Sequence, residues 1–156
     1  MNRLQLFHFE WKDAWYSPCR GYDTILESRA DGRLLLKCIV DMSPRSIDLT
    51  GKEDEMIKSI EESGISKLNG KKYIEDCLDG HMWRIDIAYD DKVIRASGDN
   101  AYPPEFWAFL GMMIKDWNIK KSVLVGPIKA ECKKYQNDYR VEPMNDDEAT
   151  LPSYIV

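Results

Sequence analysis

The sequence lacks a long hydrophobic run, and none of its apolar stretches approaches the roughly 20 residues that cross a bilayer as a helix. Residues 1–13 also lack the basic start, the apolar stretch and the small-residue cleavage site of a secretory signal peptide. We therefore expect a cytoplasmic protein that has no membrane partner.

Close pairs of cysteines are absent, and histidines are few. The four cysteines are scattered without a Cys-x-x-Cys motif, and isolated thiols of this kind are usually reduced and buried. A zinc site would need distant residues to converge on His8 or His81. A cysteine nucleophile would need Cys19 or Cys77 beside a histidine, and no local signature accompanies such a pair. We predict no metal, no cofactor and no catalytic residue.

The charge is unevenly distributed along the chain. The composition is 44% hydrophobic and 31% charged, which excludes a wholly disordered protein. Residues 118–140 hold six bases and two acids (+4), and residues 141–156 hold four acids (−4), so the remainder carries the overall net charge of −5. An acidic body repels a phosphate backbone, which makes nucleic acid an unfavourable partner. The basic stretch at 118–140 could contact an acidic partner or stack on the bases of a nucleic acid. It could equally form an ordinary solvated surface.

Two regions of the first half are typical of strands. Residues 4–9 are short, apolar and aromatic, as in an N-terminal strand. Asp31-Gly32 supplies the positive φ angles of a tight hairpin turn. Residues 22–29 and 33–42, which flank this turn, are the expected strands of a first hairpin.

A second hairpin follows from the alternation of apolar and polar side chains in residues 82–89. An even-length loop predicts that Tyr89 lies opposite Ile94 and Ile87 lies opposite Ala96. This register collects the apolar side chains on one face. The other face then carries Arg84, Asp86 and Arg95.

Helical signals occur in three places. Thr50 and Glu53 match a capping box at the start of a helix that Gly64 ends. Residues 105–117 carry apolar side chains at helical spacing, and residues 128–139 suit a third helix. The residues expected to face the core are Met56, Ile57 and Ile60 in the first helix and Phe106, Phe109, Leu110, Met113 and Trp117 in the second.

These elements predict a single α+β domain over residues 1–140. We expect an antiparallel sheet built from two hairpins plus an N-terminal strand, covered by two or three helices. Residues 141–156 contain two prolines and an acidic cluster, which are typical of an extended C-terminal tail.

A longer pattern spans the middle of the chain. It runs Asp79-Gly80-x-x-Trp83, then the alternating strand, then Ser97-Gly98-x-Asn100-Ala101-Tyr102-Pro103-x-x-Phe106. Over residues 75–117 this pattern resembles a group of uncharacterised small bacterial proteins, chiefly Gram-positive. Lys92 stands where the pattern has a glycine in the hairpin turn, which indicates a looser turn here. The group has no assigned activity, so the resemblance implies the order of the elements and no chemistry.

The segment from Ser97 to Asn100 is the main candidate for ligand binding. It joins a strand to a helix, where free backbone amides attract anions. The residues that could contact a small polar ligand are Ser97, Asp99, Asn100 and Tyr102. The same glycine, aspartate and asparagine also suit an ordinary tight turn, so both interpretations stay open.

Five tryptophans exceed what one sheet and its helices need for packing. Trp11, Trp15 and Tyr16 lie in the irregular stretch before Pro18, and such aromatic side chains are favoured at recognition surfaces, although core packing is the alternative. We predict a non-enzymatic interaction protein, of an inhibitor or immunity type, that binds another protein through an acidic, aromatic surface. The alternative is a small-ligand-binding module that uses residues 97–100, and an enzyme is the third hypothesis.

Overall fold

The computed structural model describes residues 3–13, 21–40, 43–75, 81–117 and 139–145. These residues form a mixed α+β structure with an eight-stranded, mostly antiparallel sheet and two α-helices. The strands are β1 (Leu4–Asp13), β2 (Gly21–Ser28), β3 (Leu34–Val40), β4 (Ser43–Asp48), β5 (Lys71–Ile74), β6 (His81–Tyr89), β7 (Lys92–Asp99) and β8 (Arg140–Pro143). The helices are α1 (Glu53–Ser63) and α2 (Pro104–Asp116), with a 3-10 helix at Ile65–Leu68. Among these residues, no helix combines the length and the hydrophobicity that a membrane crossing requires.

The N-terminal strand lies in the middle of the sheet. The strand order is β4-β3-β2-β1-β6-β7-β5-β8, so β1 pairs with β2 on one side and with β6 on the other. Neighbouring strands are antiparallel except β5 and β7, which run parallel. The order brings together strands that are far apart in the sequence.

The sheet is larger than two hairpins plus one strand, which corrects that part of the sequence-based expectation. Hydrophobic alternation does not mark β4, β5 and β8, because these strands are four to six residues long and β4 and β8 carry mostly exposed side chains. β8 pairs with β5, so the first residues of the expected tail belong to the sheet. The rest of that tail, from residue 146, lies outside the described residues, as does almost all of the expected third helix at 128–139.

The turn between β6 and β7 is tighter than predicted. Tyr89 pairs with Lys92 rather than with Ile94, so the predicted register is wrong by two residues. Asp90 adopts a left-handed φ of 48°, and its carboxylate accepts two hydrogen bonds from the Arg3 guanidinium, at 3.0 and 2.9 Å. Because the shift is two residues, every side chain keeps its predicted face.

Helix α1 begins differently from the predicted capping box. Its N-cap residue is Lys52, whose side chain makes no capping hydrogen bond. The Thr50 hydroxyl instead accepts a hydrogen bond from the Leu34 N–H, at 3.0 Å, and donates one to Asp48. Thr50 therefore ties the loop before the helix to β3. Gly64 ends the helix with a φ of 76°, as predicted.

The helices bury one face of the sheet under aromatic side chains. The Phe7 ring on β1 lies 5.8 Å from the Phe109 ring of α2 and 4.6 Å from the Trp117 ring. All the core-facing residues predicted for the two helices are buried, which confirms that α2 covers the sheet. Burial of each large apolar side chain stabilises the folded state by roughly 1.5–3 kcal/mol. The opposite face has no helix over it in the described part of the chain.

Candidate functional site on the polar face of the sheet

The two faces of the sheet differ in character, because side chains alternate along each strand. On β1, Phe7 and Phe9 pack toward the helices, whereas His8 and Glu10 point to the opposite face. Cross-strand pairing extends that face from β3 to β7. We call it the polar face, and it includes His8, Glu10, Lys12, Asp23, Ile39, Met82, Arg84, Asp86, Val93 and Arg95.

His8 occupies the centre of the polar face, and neither its side chain nor that of Asp86 has exposed surface. His8 Nδ1 lies 3.0 Å from Asp86 Oδ2, and His8 Nε2 lies 2.9 Å from Asp23 Oδ1. Glu10 Oε2 is 3.8 Å from the same Nε2. These acids converge on the ring because β1 lies between β2 and β6, with Asp86 opposite His8 and Asp23 opposite Glu10.

Arg84 completes a group that we call the histidine cluster, which consists of His8, Glu10, Asp23, Arg84 and Asp86. The Arg84 guanidinium donates through Nε and Nη2 to the two oxygens of Asp86, at 2.9 and 3.0 Å. The Asp86 carboxylate is therefore held by Arg84 from one side and by His8 from the other. Lys12 lies at the margin, with its Nζ 3.0 Å from Glu10 Oε1.

The protonation states of the cluster depend on one another. Burial lowers the pKa of His8, but hydrogen bonds to Asp23 and Asp86 outweigh burial and raise this pKa to about 9. Burial raises the pKa of Asp86, and hydrogen bonds from His8 and Arg84 more than offset this, which leaves it below its usual value. At neutral pH, His8 is an imidazolium whose two N–H groups face carboxylates. The three carboxylates of the cluster are then balanced by three cations, which are His8, Arg84 and Lys12.

The charged groups of the cluster pair with one another, and neither nitrogen of His8 is exposed to a substrate. General acid–base catalysis needs a reacting group within hydrogen-bond reach of a ring nitrogen. His8 has no exposed surface, and both of its nitrogens already face carboxylates. One imidazole nitrogen and two carboxylate oxygens, from His8, Glu10 and Asp23, also form a donor set that a metal ion could use.

The segment predicted to bind a ligand is largely strand. Ser97 and Asp99 belong to β7, and Asn100 follows them with a left-handed φ of 55°. Asn100 Oδ1 accepts a hydrogen bond from the His81 N–H, at 2.7 Å, and the Asn100 N–H donates to the His81 carbonyl. Asn100 and Tyr102 are both buried, so contacts within the fold explain these two residues. Ligand binding by this segment stays a prediction.

Trp83 explains other residues of the same sequence pattern. Its indole lies over Gly98, where an added Cβ would overlap with the ring. Trp83 Nε1 donates to the Ala101 carbonyl, at 2.7 Å, and the ring packs 5.0 Å from that of Phe106. Packing around one indole therefore accounts for Trp83, Gly98 and Phe106 together.

Trp11 belongs to the core, which corrects its expected place on a partner surface. It is only 6% exposed, its ring stacks on that of His81 at 4.5 Å, and its Nε1 lies 3.4 Å from the Tyr102 hydroxyl. Trp15 and Tyr16, the other residues predicted for that surface, lie outside the described residues. In the described part of the chain, most exposed apolar side chains lie on the polar face instead.

A groove of about 250 Å³ lies between α1 and the C-terminal end of α2. Met56, Ser59 and Trp117 line it, together with charged side chains of both signs. None of its lining residues belongs to the segment from Ser97 to Asn100. The groove therefore gives no support to a small-ligand site at that segment.

No protein-family model matches the chain, and no curated protein matches its sequence. The resemblance of residues 75–117 to a group of bacterial proteins therefore stays a prediction. Function has to be inferred from the geometry of the polar face itself.

Proposed function

We propose that the chain is a non-enzymatic protein-binding domain whose partner docks on the polar face. The position of the exposed apolar side chains carries this proposal. Among the described residues, four large hydrophobic side chains are at least 40% exposed, and three of them, Ile39, Met82 and Val93, lie on this face. Protein interfaces combine exposed apolar side chains with surrounding polar ones, and the described part of this face has both.

The dimensions of the polar face suit a protein partner. Ile39 on β3 and Val93 on β7 are separated by four strand spacings, which corresponds to about 19 Å across the sheet. A standard interface takes roughly 800 Å² from each partner, so a surface of this width can supply most of one. The histidine cluster lies inside it, and its partly exposed members Glu10, Asp23 and Arg84 are the ones that a partner can contact.

Arg95 indicates what the partner should carry. Its Nε is buried without a hydrogen-bonding partner, and no carboxylate pairs with its guanidinium in the described part of the chain. The neighbouring cations Arg84 and Lys12 are paired within the face. A guanidinium binds a carboxylate through two parallel hydrogen bonds. Because Val93 lies about 7 Å away on the same strand and face, the matching partner presents an acidic side chain next to an apolar one.

The state of His8 supports a role without catalysis. Histidine is the side chain that enzymes use most often for general acid–base catalysis, and the His8 side chain has no exposed surface with which to reach a substrate. An inhibitor or immunity-type role is the finer part of the proposal, and it is supported only by the analogy of size and charge with small proteins of that kind.

Charge reversal at Arg95 tests the proposal. Wild-type protein immobilised in a native lysate of its source cells should capture a partner that Arg95→Glu binds about tenfold or more weakly, because the new carboxylate repels the partner's acid. Lys58→Glu makes the same change of charge on the exposed side of α1 and is the matched control. Mass spectrometry identifies the captured protein, and calorimetry of the purified pair gives the affinities.

Two results would show that the polar face is not the binding surface. One is that Arg95→Glu retains the partner as well as the wild type does, and the other is that Lys58→Glu loses it equally. Circular dichroism and thermal melting of both variants separate lost binding from lost folding. Val93→Ala should weaken capture less than the charge reversal, because it removes only part of the apolar contact.

A further inference from the structure

Three side chains of the histidine cluster place possible metal ligands close together. His8 Nε2, a carboxylate oxygen of Glu10 and one of Asp23 all lie within 4.8 Å of one another. Nε2 is 2.9 Å from Asp23 Oδ1 and 3.8 Å from Glu10 Oε2. Ligand atoms about 2.0–2.2 Å from a tetrahedral ion are about 3.3 Å apart, so small side-chain movements suffice to admit one. We propose that His8, Glu10 and Asp23 bind a divalent first-row transition metal ion such as Zn²⁺ or Mn²⁺.

The ligands stand on a rigid part of the fold. His8 and Glu10 are two residues apart on β1 and therefore share a face, and Asp23 is the cross-strand neighbour of Glu10 on β2. Both strands are internal strands of the described sheet, each paired on its two sides. The pairing of these strands keeps the backbone positions of the three ligands fixed when no ion is bound.

The residues behind His8 orient it for this role. Metal-binding histidines usually donate their second ring N–H to a carboxylate, which fixes the tautomer and the direction of the ring. His8 Nδ1 makes that contact with Asp86, at 3.0 Å, and Asp86 is itself held by both arms of Arg84. Because Nδ1 is engaged by Asp86, Nε2 is the ring nitrogen that lies near the two carboxylates of the ligand set, 2.9 Å from Asp23 Oδ1 and 3.8 Å from Glu10 Oε2.

The His8 side chain has no exposed surface, so an ion reaches Nε2 only when the two carboxylates move. Glu10 is 19% exposed and Asp23 is 30% exposed, so both can move aside and close again on the solvent side. The ion replaces the proton on His8 Nε2, which is released to solvent. Three protein ligands leave at least one further position for water or for a group from a partner.

The donor set determines which ions fit. Imidazole favours zinc and the later transition metals, and carboxylates favour harder ions such as manganese. A site with one imidazole and two carboxylates therefore suits ions of both classes. Calcium prefers six to eight oxygen ligands, which this cluster does not supply from its described residues. The Lys12 ammonium, 3.0 Å from Glu10 Oε1, competes with an ion for that carboxylate.

Cobalt titration of the metal-free protein tests the site, because bound Co²⁺ has a visible spectrum that reports its ligands. We expect one ion per chain, displaced by Zn²⁺. Glu10→Gln and Asp23→Asn each remove a ligand without a change of size and should weaken binding by roughly tenfold or more. Glu55→Gln, on the exposed side of α1, is the matched control and should bind as the wild type does.

Lys12→Met should change the affinity for the metal ion in the opposite direction. It removes the competing ammonium and should tighten binding, which a general loss of structure would not do. The proposal is overturned if both ligand variants bind as the wild type does, or if the spectrum shows a thiolate-to-cobalt charge-transfer band, since the ion would then sit on cysteine. Partner capture by the metal-free protein tests the docking surface independently, because Val93 and Arg95 are not among the ligands.

Discussion

His8 is a buried imidazole whose hydrogen bonds reach carboxylates on two neighbouring strands. Burial alone would lower its pKa, yet the bonds to Asp23 and Asp86 raise it to about 9, against an ordinary value of 6.5. The folded protein therefore holds this proton more tightly than the unfolded chain does. The resulting stabilisation is complete below pH 6.5 and is lost as the pH rises through about 9.

We expect the free energy of unfolding in metal-free buffer to fall by on the order of 3 kcal/mol between pH 6.5 and a pH well above 9. Urea unfolding at intervals across this range measures the fall. Asp23→Asn removes the negative charge 2.9 Å from Nε2 and should show a smaller fall. Burial raises the pKa of the Cys38 thiol in both proteins, so the difference between them reports on His8. Identical alkaline losses in the two would contradict this account.

The contact between Gly98 and Trp83 gives a second prediction for a single residue. A Cβ at Gly98 would lie 2.7 Å from Trp83 Cζ2 and closer still to Nε1, so the buried indole would have to move. We expect Gly98→Ala to destabilise the protein by roughly 1–3 kcal/mol in urea unfolding. Gly111→Ala, inside α2 where a Cβ meets nothing within 4 Å, should instead stabilise by about 0.5–1 kcal/mol. A neutral Gly98→Ala would mean that the indole is not fixed over the glycine.

Among the elements, α1 is joined to the sheet through the loop that precedes it. Thr50 resembles a helix cap in the sequence, but its hydroxyl accepts from the Leu34 N–H at the start of β3. We expect Thr50→Val to cost about 1 kcal/mol and to speed hydrogen exchange at the Leu34 amide. Protection of the first turn of α1 should change little, because the N-cap is Lys52. Faster exchange confined to that first turn would restore the capping interpretation.

Local periodicity predicts the helices well and the strand register less well. The buried positions Met56 and Ile60 follow from helical spacing, and the end of α1 follows from the tolerance of Gly64 for positive φ. A tight turn with Asp90 at positive φ is locally unfavourable, and it is supported here by Arg3, which is 87 residues away. The position of Lys92 opposite Tyr89 therefore depends on a contact that no local pattern reveals.

In the whole molecule, the histidine cluster exists because of the order of the strands. Alternation alone predicts that Arg84 and Asp86 share the outer side of their hairpin. It does not predict that His8, 78 residues before Asp86, stands directly beside it, because alternation does not say which strands pair. The polar face and its candidate ligands become visible only when β1 is placed between β2 and β6.

The two outermost strands of the described sheet have one further consequence for the protein in solution. β4 contains Pro44 and β8 ends at Pro143, and both strands expose charged side chains. Proline offers no N–H to an incoming chain, and exposed charges oppose stacking of like copies. Each end of the described sheet is thus a poor template for edge-to-edge growth into fibrils.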